Sequence, residues 1–137
     1  MNTLSIQALI NAISRLHEGY TRYLQDTTDE QIRDGLIQRF EFTYEISHKI
    51  LKRYLEYTSA NPSQFDTMPF QDLIRTANEQ NLLLNDWSKW KQYRDMRNRT
   101  SHTYDEKTAL AVVQGIPDFL AEAQFLQNSL ISRLGKT

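Results

Sequence analysis

Arg97, His102 and Tyr104 bring an arginine, a histidine and a tyrosine into eight consecutive residues, inside the stretch RDMRNRTSHTYD from Arg94 to Asp105. Residues of these types could work on a phosphodiester. A histidine with an ordinary pKa of about 6.5 can take the proton of a ribose 2′-OH or return one to a leaving oxygen. A guanidinium can neutralise the charge that builds on the phosphate. No metal is required, and because the internal 2′-OH nucleophile exists only in RNA, that chemistry points to RNA rather than DNA. Asn98 adds a polar side chain next to Arg97. Between Trp87 and Lys107, the cations Lys89, Lys91, Arg94, Arg97, Arg99 and Lys107 outnumber Asp95, Asp105 and Glu106 by three. Lys91, Arg94 and Arg99 are therefore candidates for holding an RNA backbone, although a charged run of this kind can equally be a solvated face.

The spacing sets a condition on any such site. Arg97 and His102 are five residues apart, which on a continuous helix would separate their side chains by about 140°. They could converge only if the chain leaves the helix between them, or if two copies meet across a dimer. The same residues could simply finish a helix, with Arg97 and His102 complementing its C-terminal carbonyls while Tyr104 packs. By spacing alone, that capping role outranks a site.

The elements that must position these residues read as helices. The chain has 137 residues, 39% hydrophobic and 24% charged, with 4 Gly, 3 Pro and no Cys. That balance predicts one helical domain over residues 1–137 and excludes a disulfide framework, a thiol nucleophile or a Cys-based zinc site. A formal net charge of −1 argues against binding nucleic acid through bulk charge, so any contact must be local. The N-terminal MNTLSIQALINAISRLHEGY is amphipathic and lacks a basic leader, so neither a signal peptide nor a membrane span is expected. A cytoplasmic protein is the expectation.

Ile6, Leu9, Ile13, Leu16, Tyr20, Tyr23 and Leu24 recur at helical steps, and after Asp26-Thr27-Thr28-Asp29 a second, longer helix runs from about Ile32 to Thr58. These two should form an antiparallel hairpin. Ser59 to Pro69 is a loop, and Phe70 to Ala77 a short helix. Leu82, Leu83, Trp87, Trp90, Arg94 and Arg97 mark a fourth helix, in which Arg97 should extend the buried Trp90 stripe. Asp105 can cap a last helix through Leu110 to Leu134, which Gly115 and Pro117 should kink or split. The fold expected is an all-α, antiparallel up-and-down bundle of four main helices plus short ones. Glu45 and His48 form an E-x-x-H unit, but a di-iron site needs a second such unit and none is present. No metal and no cofactor are expected.

RNRTSHTYDEKTA, together with IRDGLIQRFEFTYEISHKILKRYLE and DWSKWKQYRDMRNRTSHTYDE, resembles the HEPN domains of the small branch known as nucleotidyltransferase substrate-binding proteins. The resemblance runs nearly the whole length. It implies that Arg97, Asn98 and His102 are ribonuclease residues and that Tyr104 is a tyrosine to which a minimal nucleotidyltransferase antitoxin (MNT) transfers AMP from ATP. It further implies a homodimer in which both motifs face one cleft, an RNA substrate, with tRNA as a plausible target, and no membrane. Some members of this branch serve instead as inactive subunits that help a nucleotidyltransferase bind its substrate, and that alternative stays open here.

Overall fold

The computed structural model describes residues 4–134, and every regular element among them is helical. Helix α1 (Gln7–Gln25) buries Leu9, Ala12, Ile13, Leu16 and Tyr23 on one side. Leu24, expected on that side, points away and is 57% exposed. Asp29 starts α2 (Glu30–Tyr57), its Oδ1 accepting the backbone N–H groups of Gln31 at 2.9 Å and Ile32 at 3.1 Å. This N-cap satisfies donors that a helix start leaves orphaned. The short link makes α1 and α2 an antiparallel hairpin, the largest helix contact in the fold.

The expected loop contains a 3-10 turn, Pro62–Phe65, whose Phe65 is buried against α2. Helix α3 (Phe70–Glu79) ends at Asn81, whose positive φ of 61° lets the Leu82 N–H reach back to the Ala77 carbonyl at 3.1 Å. Asparagine tolerates that left-handed conformation better than most residues. Leu82 and Leu83 therefore lie in the turn and not in the next helix, as their spacing had suggested, though both remain buried. Helix α4 (Trp87–Arg99) begins only after Asp86, whose carboxylate accepts the Ser88 backbone N–H at 3.0 Å and its hydroxyl at 2.7 Å. These bonds hold the Asp86 carboxyl below its usual pKa.

Helix α5 (Glu106–Leu134) continues through Gly115 and Pro117 as one element, so of the expected kink or split, the split does not occur. Pro117 is exposed, while Ile116, Phe119 and Leu120 beside it are buried. An interior proline costs about 3 kcal/mol. Burying each large neighbour returns roughly 1.5–3 kcal/mol, so packing outweighs the missing hydrogen bond.

The centre of the bundle is aromatic. Phe40 from α2, Trp90 and Tyr93 from α4 and Phe119 from α5 meet edge to face, with centroid distances of 5.1 Å for Phe40–Phe119, 5.2 Å for Trp90–Tyr93 and 5.3 Å for Tyr93–Phe119. Such pairs add about 0.5–1.5 kcal/mol each beyond their buried area. This cluster fixes α4 between α2 and α5, and α4 carries the motif.

Candidate functional site

The chain does leave the α-helix between Arg97 and His102. Helix α4 ends at Arg99, and Thr100–His102 form a single 3-10 turn packed near α2 and α5. Hydroxyls account for the change. Thr100 Oγ1 donates to the Arg97 carbonyl at 2.7 Å, Ser101 Oγ to the Asn98 carbonyl at 3.5 Å, and Thr103 Oγ1 to the Thr100 carbonyl at 3.4 Å. Serine and threonine compete with the helix for these acceptors, and a tightened last turn is the result. Asp105 then accepts the Thr108 hydroxyl at 2.8 Å and the chain re-enters a helix.

His102 and Tyr104 are both exposed, Tyr104 at 86%, with ring centroids 6.0 Å apart. Arg97 goes elsewhere. Its Nε donates to Glu45 Oε2 at 2.8 Å, its Nη2 also bonds Glu45, and Nη2 lies 3.4 Å from Glu41 Oε2. The arginine expected to extend the buried tryptophan stripe is thus at the rim, its side chain 29% exposed, whereas Trp90 is fully buried. No hydrogen bond joins Arg97 to His102 among the described residues. Asn98 is exposed one position further on.

The basic stretch divides. Lys89 pairs with Asp118 of α5 at 2.8 Å, and the Arg94 guanidinium lies 4.9 Å from the centroid of the Trp87 ring. Lys91 and Arg99 are exposed. Arg94 lies only about 60° from Arg97 around α4, whereas Arg99 projects some 160° away, so these cations do not share one helix face. Both Arg94 and Arg97 influence Tyr44, whose hydroxyl burial pushes up to about 12 against the pull of these two cations.

Glu41 and Glu45 are the residues that reading the sequence missed at this site. Glu45 drew attention only as part of E-x-x-H, and that unit is not a metal arrangement here: Glu45 holds Arg97, while His48 turns its ring to within 4.5 Å of Phe70. Burial, and then the Lys52 charge, hold His48 below its ordinary pKa. Among the described residues no cluster of three or more His, Asp or Glu could hold a metal ion, and no helix is long and apolar enough to cross a membrane. A groove of about 620 Å³ between α1 and α2, lined by Arg15, Arg39, Phe42 and Ile46 among others, includes none of the motif residues.

Comparison with known proteins places this geometry in a family. Residues 4–132 match the family described as nucleotidyltransferase substrate binding protein like. A Haemophilus influenzae protein named probable ribonuclease HepT is 48% identical over 99 residues, covering 72% of this chain and 67% of that protein. A solved Haemophilus influenzae structure, described as revealing the fold of a substrate binding domain of a nucleotidyltransferase, superposes with a TM-score of 0.86 at 37% identity, over 92% of this chain and 98% of that one. A match over nearly the whole bundle, at this identity, makes the chain a HEPN-type member of the nucleotidyltransferase substrate-binding family.

Proposed function

We propose that this protein is the toxin of a HEPN/MNT toxin–antitoxin pair, a metal-independent endoribonuclease that a partner nucleotidyltransferase silences by transferring AMP to Tyr104. The observation that carries the reading is the 3-10 turn, which presents His102 and Tyr104 together on the surface next to the end of α4. The relative named as a ribonuclease supports it.

In this reading the ribose 2′-OH loses its proton to one histidine and attacks the adjacent phosphorus. The bond to the 5′ oxygen breaks as a second histidine protonates that oxygen, leaving a 2′,3′-cyclic phosphate and a 5′-OH. One chain contributes one motif histidine, so a homodimer with both copies of His102 facing one cleft supplies the base and the acid. Arg97 neutralises the phosphorane charge, Asn98 orients the backbone, and Lys91, Arg94 and Arg99 hold flanking phosphates, with tRNA as a plausible substrate. In the silencing step the Tyr104 phenol oxygen attacks the α-phosphorus of ATP, pyrophosphate leaves and the phenol proton is lost. The AMP group then brings bulk and negative charge to a site meant for an RNA phosphate.

A second reading has its own support. Arg97 is already engaged by two carboxylates, and the solved relative is described as a nucleotidyltransferase's substrate binding domain. A non-catalytic subunit of that kind would be harmless when expressed alone. The toxin should stop growth, should cut RNA in EDTA, and should lose both properties as His102→Ala. Equal cleavage by parent and His102→Ala would remove the catalytic assignment, and harmless expression together with intact RNA would favour the binding subunit.

A further inference from the structure

We propose that Glu45, aided by Glu41, is a positioning residue that orients the Arg97 guanidinium for the reacting phosphate at the cost of ground-state affinity for RNA. The inference rests on the ribonuclease reading, and it starts from a charge count. Glu41 and Glu45 stand four residues apart on α2, and among the described residues Arg97 alone bridges them, from α4. Two carboxylates and one guanidinium leave this cluster at −1, so an incoming phosphodiester meets an arginine that is already more than neutralised.

Fold stability does not explain the arrangement. The side chains are 29% exposed for Arg97, 34% for Glu41 and 50% for Glu45, and ion pairs this open to solvent contribute little to stability. Geometry offers a better account. Arginine carries five donors in one rigid plane. Glu45 takes Nε and Nη2, which fixes that plane, and Nη1 has no hydrogen-bond partner among the described residues. The guanidinium is thus held by one edge with donors left on another, the condition for presenting a fork to a phosphate oxygen. Misplacing a group of this kind by about 1 Å can cost on the order of 100-fold in rate.

Orientation and affinity should then separate on substitution. Glu45→Ala removes both the acceptor and the charge, whereas Glu45→Gln keeps an acceptor oxygen and removes only the charge. With a cleavable oligonucleotide, kcat should fall about 30-fold in Glu45→Ala, and Glu45→Gln should recover most of it. Affinity for a 2′-O-methyl oligonucleotide, which cannot be cut, should rise about fivefold in both variants, the equivalent of about 1 kcal/mol. A residue that only supported the fold would lower the melting temperature and leave kcat per folded molecule and oligonucleotide affinity unchanged, and that result overturns the proposal. Should the parent fail to cut any RNA, the ribonuclease reading falls by itself. The orientation is then decided by NMR of the Arg97 Nε–H, which should be protected from exchange in the parent and Glu45→Gln and unprotected in Glu45→Ala. Equal exchange in all three overturns it.

Discussion

The two ends of α4 are each tied to a neighbouring helix by glutamate, and the ties could hardly differ more. At the start of the helix, Glu122 of α5 is fully buried and receives the Leu84 N–H at 2.7 Å, the Asn85 N–H at 3.3 Å, the Asn85 side-chain amide at 2.9 Å and the Tyr93 hydroxyl at 3.2 Å. All four donors are uncharged; three have the carboxylate as their one acceptor among the described residues, and the Tyr93 hydroxyl also reaches the Asp118 carbonyl at 3.4 Å. At the other end, Glu41 and Glu45 engage a charged side chain near the surface and leave part of its donor set unused. A buried carboxylate saturated by donors secures the approach of α4 to the bundle, while an exposed one holding a half-used arginine has capacity for a ligand. The same side-chain type thus serves architecture at one end and, on our reading, chemistry at the other.

The most forceful way to break the comparison is Glu122→Ala. It removes the shared acceptor of four buried or part-buried donors, which should lower stability by about 3 kcal/mol and the melting temperature by roughly 10 °C. Chemical denaturation checks this, with cleavage per folded molecule expected to stay at the parental level. The Tyr93 hydroxyl, now raised well above its ordinary pKa first by burial and then by the Glu122 charge, should relax downward in the same variant. A loss under about 1 kcal/mol would mean that the donors find water and that this tie is no more structural than the other.

A smaller effect is expected at Gly115, where α5 meets the end of α4 that carries the motif. A Cβ added there would come within 2.5 Å of the Met96 sulfur and 2.7 Å of its methyl, one residue before Arg97. Methionine is flexible and can yield to a single methyl group. Gly115→Val should nonetheless cost about 2 kcal/mol through overpacking and should lower cleavage by shifting the last turn of α4. Unaltered cleavage in a destabilised Gly115→Val would separate the Met96 contact from the site.

How much of this was legible in the sequence follows from where each signal resides. The helices could be read because Leu9, Ile13 and Leu16, or Ile116, Phe119 and Ala123, recur at the steps that burial requires. The motif was visible because its residues are neighbours along the chain. The carboxylates that hold Arg97 were not visible, since the pair closes over 52 residues and exposed glutamates leave no hydrophobic period to detect. Glu122 did leave a signal: an acid three residues after Phe119 and four before Leu126 stands in the apolar register of α5, where only a satisfied carboxylate survives. Pro117 does not split α5 because the cost of a proline is local, while the packing that overrides it comes from the rest of the bundle.

The finest test concerns His48, which follows Glu45 by one turn of α2 and packs against Phe70. Its pKa is lowered in the folded protein, chiefly by burial and then by Lys52, so the unfolded chain, near the ordinary value of about 6.5, binds its proton first. Above that value the imidazole is neutral in both states and the contribution to stability is complete. As pH falls through about 6.5 the unfolded state gains a proton that the folded state refuses, and stability is lost until the folded imidazole titrates too. Denaturation midpoints between pH 7.5 and 5.5 should therefore fall more steeply for the parent than for His48→Gln, the difference between the two curves cancelling the contributions of other groups. Parallel curves would show that the ring is solvated. The α2 stripe that carries Glu41 and Glu45 would then be open to water one turn further along than the Phe70 contact indicates, and the contrast with the closed Glu122 end would widen.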